Sequence, residues 1–248
     1  MADVIIVTGA GRGIGAATAL LAAQRGYSVC VNFRANRVAA DGVVRAIEAA
    51  GGRAIGVAAD VSSEPDVERL FETCDTDLGP PTALVNNAGI LEKQMRVEAM
   101  DGARIQRIFA TNVIGSFLCA REAVRRMSTK RGGSGGAIVN VSSAASRLGA
   151  PGEYVDYAAS KGAVDTLTIG LAKEVADEGI RVNAVRAGYI YTDMHASGGE
   201  PARVDRVKQF VPMKRGGTAN EVAQAILWFL SRDASFTTGS FIEVTGGN

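Results

Sequence analysis

The sequence predicts an α/β fold in which a parallel sheet of about seven strands is covered by helices on both faces. Short apolar runs rich in β-branched residues alternate with longer segments whose apolar residues recur at helical spacing. Strands that alternate with helices pair in parallel through right-handed crossovers, which gives a doubly wound sheet. The runs are apolar at nearly every position, as strands that are covered on both faces require.

The predicted elements follow one another regularly along the chain. The apolar runs are, in order, "DVIIVT", "SVCVNF", "RAIGVA", "TALVNN", "GAIVNVS", "IRVNAV" and "SFIEVTG". Segments such as "GIGAATALLAAQRG" and "RVAADGVVRAIEAAGG" lie between them and end in glycine, which is typical of a helix C-terminus. We therefore expect residues 1–248 to form a single domain, with the irregular stretch at about 189–217 as a substrate lid.

Composition argues against several classes of function. The 248 residues include 27 Lys and Arg against 26 Asp and Glu, so neither nucleic acid nor an anionic membrane is an expected partner. The three cysteines are far apart, and a single histidine makes a zinc site or a Ser–His triad improbable, so we expect no metal. No signal peptide or membrane-spanning run is visible, and we expect a cytoplasmic protein with reduced thiols.

The stretch "VTGAGRGIGAA" joins the first strand to the first helix. Glycines at such a turn let backbone amides approach a pyrophosphate at the positive end of a helix. One interpretation of the spacing uses Gly11, Gly13 and Ala16, as in the long-chain dinucleotide fingerprint. A second uses Gly9, Gly13 and Gly15, which form a wider turn. Its place after the first strand of an alternating α/β chain favours nucleotide binding.

With Thr8 in front, the wider spacing resembles the short-chain dehydrogenase/reductase family, and further stretches agree with it. They are "AADVSS" with Asp60, "NNAG" at 86–89, "ATNVIG" with Asn112, "NVSSAA" with Ser142 and Ser143, and "YAASKGA" with Tyr157 and Lys161. Within the family the chain looks most like the 3-oxoacyl-carrier-protein reductase and sugar dehydrogenase branches. The resemblance implies a three-layer, Rossmann-type single domain that transfers a hydride between a nicotinamide cofactor and a carbonyl or secondary alcohol.

The resemblance also assigns roles to individual residues. The catalytic set is Asn112, Ser143, Tyr157 and Lys161. The cofactor-binding set is Gly9, Arg12, Gly13, Ile14, Gly15, Arg34, Asp60, Val61, Asn87, Ala88, Gly89, Tyr157, Lys161, Ile190 and Thr192. Tyr157 is preferred to Tyr154 because it alone stands four residues before a lysine. Ser142 stays open as an alternative to Ser143, since both lie further from Tyr157 than the family's usual spacing.

Tyr157 and Lys161 are one helical turn apart, so their side chains share a face. A free tyrosine has a pKa of about 10 and exchanges protons poorly at neutral pH. An ammonium at roughly 5 Å, in an effective dielectric near 20, favours phenolate by about 3 kcal/mol. We therefore expect Lys161 to lower the pKa of Tyr157 by on the order of two. Tyr157 would exchange a proton with a substrate oxygen that Ser143 hydrogen-bonds. The resemblance adds that Lys161 binds the nicotinamide ribose and that Asn112 holds a water leading to Lys161.

The end of the second strand indicates which nucleotide is bound. In NAD-preferring members of the family an acidic residue ends this strand and binds the ribose hydroxyls. Here Phe33 stands at that position, Arg34 follows it, and Arg12 lies in the glycine turn. Two guanidinium groups suit a 2′-phosphate, so the sequence favours NADP(H) over NAD(H).

The sequence thus predicts an NADP(H)-dependent oxidoreductase that interconverts a carbonyl and a secondary alcohol. Two alternatives stay open: a catalytically silent NADP-binding sensor, and an NAD-dependent sugar or alcohol dehydrogenase of the same family. The resemblance also implies a homotetramer. The helix containing "AILWFL" would then lie between subunits, unless it faces its own sheet.

Overall fold

The apolar runs form one parallel sheet in the computed structural model, which describes residues 3–248. The strands are β1 (Val4–Val7), β2 (Ser28–Phe33), β3 (Ala54–Ala58), β4 (Ala83–Asn86), β5 (Gly136–Ser143), β6 (Ile180–Ala187) and β7 (Phe241–Val244). Their order across the sheet is β3-β2-β1-β4-β5-β6-β7, and neighbouring strands are parallel. The predicted doubly wound sheet is confirmed.

The helices that connect the strands cover both faces of the sheet. They are α1 (Gly13–Gln24), α2 (Arg37–Ala49), α3 (Glu64–Asp77), α4 (Gly102–Phe109), α5 (Gly115–Met127), α6 (Ala145–Leu148), α7 (Val155–Glu174), α8 (Met194–Ser197), α9 (Arg203–Val207) and α10 (Ala219–Leu230). A π-helical turn, Ala110–Ile114, joins α4 to α5. Among residues 3–248, no helix combines the length and the apolarity needed to span a bilayer.

Alternate residues of one strand enter two different hydrophobic cores. Ile5 and Val7 of β1 pack with residues of α1, α2 and α10, whereas Ile6 packs with residues of α3, α5 and α7. Side chains of a strand point alternately to the two faces, and here both faces are covered. This arrangement explains why the strands are apolar at successive positions.

The chain changes direction across the sheet beside β1. From β1 it moves outward to β2 and β3, and then returns to β4 on the other side of β1. The helices that follow β1 and β4 therefore lie on opposite faces, α1 on one and α5 on the other. Such a switch point leaves a crevice at the carboxyl ends of the strands, where ligands bind in open α/β sheets.

The segment 189–217 leaves the sheet after β6, and its two ends meet. The Tyr191 amide donates to the Gly217 carbonyl, and the Gly217 amide donates to the Tyr189 carbonyl, each at 2.9 Å. Between these ends the segment forms α8 and α9. Its action as a lid stays a prediction.

Helix α10 contains the run "AILWFL" and packs against α1 and its own sheet. It begins with a capping box in which the side chains of Thr218 and Glu221 each accept a hydrogen bond from the other's backbone amide. Ile226, Leu227 and Phe229 are buried in the core, while Trp228 is 40% exposed. Most of this helix thus follows the second interpretation, in which it faces its own sheet.

Candidate active site

Hydrogen bonds between uncharged groups connect the turn after β1 to the turn after β4. The Thr8 hydroxyl accepts hydrogen bonds from the backbone amides of Asn87 and Ala88, each at 3.0 Å. The Asn87 side chain in turn donates to the carbonyls of Thr8 and Gly9, at 2.8 and 3.1 Å. These bonds bring the glycine turn and the "NNAG" stretch to one crevice.

Three glycines of this turn lie where a side chain would strain the backbone or overlap a neighbour. Gly9 and Gly13 have φ values of +62° and +56°, which favour glycine. A Cβ on Gly15 would come within 2.5 Å of the Gly9 carbonyl oxygen and the Asn87 side chain. At Gly11 the nearest atom would be 3.5 Å away, which is an ordinary contact. The geometry therefore follows the wider spacing of Gly9, Gly13 and Gly15.

Helix α1 begins at Gly13 and points its N-terminus into the crevice. Its N-cap residue, Arg12, makes no side-chain cap. The amides of a first helical turn have no partner within the helix, and the helix dipole makes this end positive. The turn therefore fits the pyrophosphate of a dinucleotide, which the amides of Gly13, Ile14 and Gly15 would hold.

A cleft of about 800 Å³ extends from the glycine turn to the 189–217 segment. The predicted cofactor residues that line it are Gly9, Arg12, Gly13, Ile14, Arg34, Asp60, Val61, Asn87, Ala88, Gly89 and Thr192. Thr192 faces the glycine turn, since a Cβ on Gly13 would lie 3.4 Å from its methyl group. Four predicted residues do not line it: Gly15 is buried, Ile190 is buried beside a second cavity of about 250 Å³, and Tyr157 and Lys161 lie on α7.

Several residues of the cleft wall were missed by sequence reasoning. They include Asn32, Asn36, Ser62, Leu91 and Met194. Ser62 lies two residues beyond Asp60, inside the "AADVSS" stretch, and could have been found there. Asn32 is buried, and its Oδ1 accepts a hydrogen bond from the Gly9 amide at 3.1 Å, which ties β2 to the glycine turn. That bond spans 23 residues and leaves no pattern in the sequence.

The wall at the end of β2 is apolar and cationic. Phe33 is 5% exposed and packs in the core, while the Arg34 side chain is 63% exposed. Arg34 Nη1 lies 3.9 Å from Asp60 Oδ2. Asp60 Oδ1 is already engaged, because it accepts hydrogen bonds from the amide and the hydroxyl of Ser62 at 2.9 and 2.7 Å.

Tyr157 and Lys161 lie in the first two turns of α7, as their spacing predicts. The Lys161 ammonium is 5.7 Å from the centroid of the Tyr157 ring. It donates a hydrogen bond to the Val141 carbonyl of β5 at 2.7 Å. A Cβ on Gly89 would lie 3.6 Å from Lys161 Nζ, so the lysine reaches the "NNAG" end of the cleft.

Asn112 lies in the π-helical turn between α4 and α5 and is fully buried. Its Oδ1 accepts from the Ile90 amide at 2.8 Å, and its Nδ2 donates to the Ile90 carbonyl at 3.1 Å and to Ser160 Oγ at 3.0 Å. A Cβ on Gly89 would lie 3.4 Å from Asn112 Oδ1. Gly89 therefore lies between Asn112 and Lys161.

The two serines at the end of β5 point to different places. Ser142 is 2% exposed, and its hydroxyl donates to Asp165 Oδ1 of α7 at 2.6 Å. The Ser143 hydroxyl accepts from the Ala145 amide at 3.2 Å and donates to the Ala187 carbonyl at 3.4 Å, and it is the group that opposes the rise of the Tyr157 pKa. Neighbouring residues of a strand face opposite sides, so only one of them can face Tyr157. Geometry favours Ser143.

The ionisation of the Tyr157–Lys161 pair differs from the expectation. Burial raises the pKa of Tyr157 to about 12, and the interaction with Ser143 opposes this only in part. Burial lowers the pKa of Lys161 to about 8, against the opposing effect of Asp165. The predicted lowering of the Tyr157 pKa is wrong, because the loss of hydration dominates and Ser143, not Lys161, provides the opposing effect. At neutral pH the phenol is protonated and the lysine is charged.

Tyr154 and His195 lie outside this group. Tyr154 is 3% exposed, and its hydroxyl donates to the Gly198 carbonyl at 3.4 Å. The guanidinium of Arg203 lies 5.0 Å from the centroid of the Tyr154 ring. His195 Nε2 is 3.0 Å from the Ile190 carbonyl. Both side chains therefore contact the 189–217 segment itself, in keeping with packing roles.

Comparison with known proteins agrees with this geometry. A family model described as enoyl-(acyl carrier protein) reductase matches residues 9–248. The oxidoreductase YgfF of Escherichia coli K12 is 63% identical, over 98% of this chain and 99% of its own length. A 3-oxoacyl-[acyl-carrier-protein] reductase of Synechocystis is 40% identical, over 99% of this chain and 96% of its own.

A solved structure extends the likeness to the fold. A variant of a short-chain dehydrogenase/reductase from Serratia marcescens has a TM-score of 0.90 and 31% identity, covering 99% of this chain and 97% of that one. Taken with the crevice, the glycine turn and the Tyr157–Lys161 helix, these matches identify the chain as an oxidoreductase that belongs to the short-chain dehydrogenase/reductase family.

Proposed function

We propose that the protein is an NADP(H)-dependent reductase that converts a carbonyl to a secondary alcohol. The observation that carries this proposal is the placement of a protonated Tyr157 beside the Ser143 hydroxyl, with Lys161 one turn further along α7. A silent NADP sensor has no use for a proton donor at this place. The intact group therefore favours catalysis over the sensor.

The side chains have separate tasks in this reaction. The bound nicotinamide supplies the hydride. Tyr157 donates a proton to the carbonyl oxygen as it becomes an alcohol, and Ser143 donates a hydrogen bond to the same oxygen. The charge on Lys161 stabilises the phenolate that Tyr157 leaves behind. Because the pKa of Tyr157 is raised to about 12, its proton is available throughout the neutral range.

The parent enzyme gives the first test of this function. NADPH oxidation is followed with ketones, sugars and acyl thioesters, and the name of the Synechocystis relative makes 3-oxoacyl thioesters the first to try. Turnover with one of these carbonyls is expected. NADPH binding without turnover of any carbonyl would support the sensor instead.

The preference for NADP(H) rests on the wall at the end of β2. The exposed guanidinium of Arg34 and the exposed Arg12 both line the cleft, and no carboxylate ends the strand. A charge-assisted hydrogen bond to the 2′-phosphate is worth roughly 1.5–3 kcal/mol. Arg34→Ala should therefore weaken NADPH by about ten- to a hundredfold at low salt, with the lower end expected because Arg12 compensates.

The measurement is kcat/KM for NADPH and for NADH with one fixed carbonyl substrate. Arg34→Ala should leave NADH nearly unchanged, because NADH lacks the phosphate. Arg45→Ala, an exposed arginine on α2, is the matched control and should alter neither cofactor. A parent that prefers NADH, or an equal loss for both cofactors, would rule out this role and point to the NAD-dependent alternative.

We also infer a homotetramer, from the family resemblance and from an apolar surface on two neighbouring helical segments. Ile114 and Phe117 are each 51% exposed, and Ile169 of α7 is 42% exposed. Light scattering should give the mass of four chains. Phe117→Asp should produce smaller species, and a parent with the mass of one chain would refute this inference.

A further inference from the structure

A buried ion pair joins the helix that leads to Asn112 to the helix that carries Tyr157. Arg104 Nε of α4 lies 2.7 Å from Asp156 Oδ2 in the first turn of α7. Their side chains are only 4% and 2% exposed. Two charges removed from water in this way must be compensated by good geometry and further hydrogen bonds.

The compensation comes from the segments around the candidate site. Asp156 Oδ1 accepts a hydrogen bond from the Tyr157 amide at 2.9 Å and a longer one from Arg104 Nη2 at 3.4 Å. Arg104 Nη1 donates to the Lys93 carbonyl at 2.6 Å. The N-cap residue of α7, Tyr154, offers no side-chain cap, so Asp156 takes over a first-turn amide. The pair thus ties α4, the start of α7 and the segment after "NNAG" to one point.

A second attachment joins the same two helical segments. Asn112 Nδ2 donates to Ser160 Oγ at 3.0 Å. Ser160 is one helical turn beyond Asp156, and Asn112 is about two turns beyond Arg104. Lys161 and Asp165 hold α7 to β5. The bonds of Asp156 and Ser160 fix the register of its first turns against the segment that carries Asn112. Tyr157 and Lys161 directly follow the two attached residues of α7.

We propose that the Arg104–Asp156 pair is a positioning device that holds Tyr157 at the angle needed for proton transfer, which rests on the function proposed above. Neither residue touches the reacting atoms. A displacement on the order of 1 Å at a reacting group can cost about a hundredfold in rate. The pair therefore acts on the turnover number and leaves cofactor binding alone.

The test separates positioning from stability. Replacing a buried ion pair by apolar residues is often neutral for stability, so Arg104→Met with Asp156→Leu should keep a melting temperature near that of the parent. Its kcat for the reduction of ethyl acetoacetate should fall by about tenfold or more, while the NADPH Kd measured by fluorescence stays within about twofold. Arg126→Met with Asp75→Leu removes a more exposed ion pair between α5 and α3, away from α7, and should leave kcat unchanged.

Hydrogen exchange gives a readout that does not depend on turnover. Peptides covering 153–162 and 90–96 should exchange faster in the double variant, while the rest of the chain keeps its protection. A double variant with the parent's kcat and the parent's exchange in these peptides would overturn the proposal. If the parent fails to reduce any carbonyl but the exchange result holds, the proposed reaction fails and the positioning of the Tyr157 turn survives.

Arg104→Lys provides a second variant if the double substitution does not fold. Lysine keeps the charge, but a single ammonium cannot reproduce the planar fork that serves both Asp156 and the Lys93 carbonyl. We expect kcat to fall several-fold with an unchanged NADPH Kd. A lysine variant with the parent's kcat and exchange pattern would refute the positioning role.

Discussion

The two sides of the cleft are held together by different forces. On the glycine-turn side, Thr8 and Asn87 exchange uncharged hydrogen bonds with backbone, and glycines allow the close approach. On the side of the 189–217 segment, Arg203 is 6% exposed and bonds to Glu153 at 2.5 Å and to Glu200 at 3.3 Å. The first side depends on backbone shape and the second on long charged side chains.

The charged side connects three parts of the chain. The Arg203 guanidinium lies 5.0 and 5.6 Å from the ring centroids of Tyr154 and Tyr189. Glu200 also accepts a hydrogen bond from Gln94 at 2.7 Å. Hydrogen bonding to Arg206 is the main reason that the pKa of Glu200 falls to about 2, so this carboxylate stays charged throughout the neutral range. From this difference we expect that cofactor binding and substrate binding can be perturbed separately.

The largest effect on cofactor binding is expected at the glycine turn. A Cβ at position 15 would lie 2.5 Å from a backbone oxygen, so Gly15→Ala must displace the turn and the amides that face the phosphates. Losing two such charge-assisted bonds should weaken NADPH by about a hundredfold or more in a fluorescence titration. Gly42→Ala is the control, because a Cβ there meets nothing within 4 Å. A Gly15→Ala variant with the parent's affinity for NADPH would contradict the role of backbone shape on the glycine-turn side.

A smaller and different effect is expected from the charged side. Arg203→Met leaves Glu153 and Glu200 without their buried partner and loosens α9 and the residues next to it, which lie beyond the Thr192 that faces the glycine turn. Substrate binding must then order these residues at a cost in conformational entropy. The KM for the carbonyl should therefore rise by about tenfold while the NADPH Kd changes little. Lys208→Met, an exposed lysine in the same segment, should change neither value. Equal losses for cofactor and carbonyl would show that the two sides are not independent.

A further effect is expected from pH and concerns Lys161, which needs no substitution to be tested. The pKa of Lys161 is lowered to about 8, and its charged form is the one that supports proton transfer. Activity should therefore be full below this pKa and lost above it, with kcat falling about tenfold between pH 7 and pH 9. Tyr157, whose pKa is about 12, stays protonated over this range.

Lys161→Arg tests whether the titration of Lys161 causes this fall of kcat with pH. Arginine stays charged at all these pH values. Whatever the absolute kcat of the variant, it should therefore not fall between pH 7 and pH 9. A fall that persists in the variant would assign the titration to another group.

The sequence predicted what short-range spacing determines. The order of the apolar runs predicted the doubly wound sheet. The glycine turn and the Tyr157–Lys161 pair were predicted because the residues of each lie close together in the sequence. The Arg104–Asp156 and Arg203–Glu153 pairs span 52 and 50 residues, and no local pattern announces them. The pKa of Tyr157 was mispredicted because spacing gives the distance to a charge but not the depth of burial. Long-range ion pairs and desolvation belong to the tertiary structure.

The central claim is that Tyr157, and not Tyr154, donates the proton. Tyr157→Phe removes only the hydroxyl, so kcat for carbonyl reduction should fall by about two to four orders of magnitude while the NADPH Kd stays nearly unchanged. Tyr154→Phe loses one long hydrogen bond to the Gly198 carbonyl and should keep most of its turnover. The measurement is single-turnover NADPH oxidation by the parent and both variants with the same carbonyl. A Tyr157→Phe variant that works at the parent's rate, or a Tyr154→Phe variant that is the slower of the two, would contradict the account.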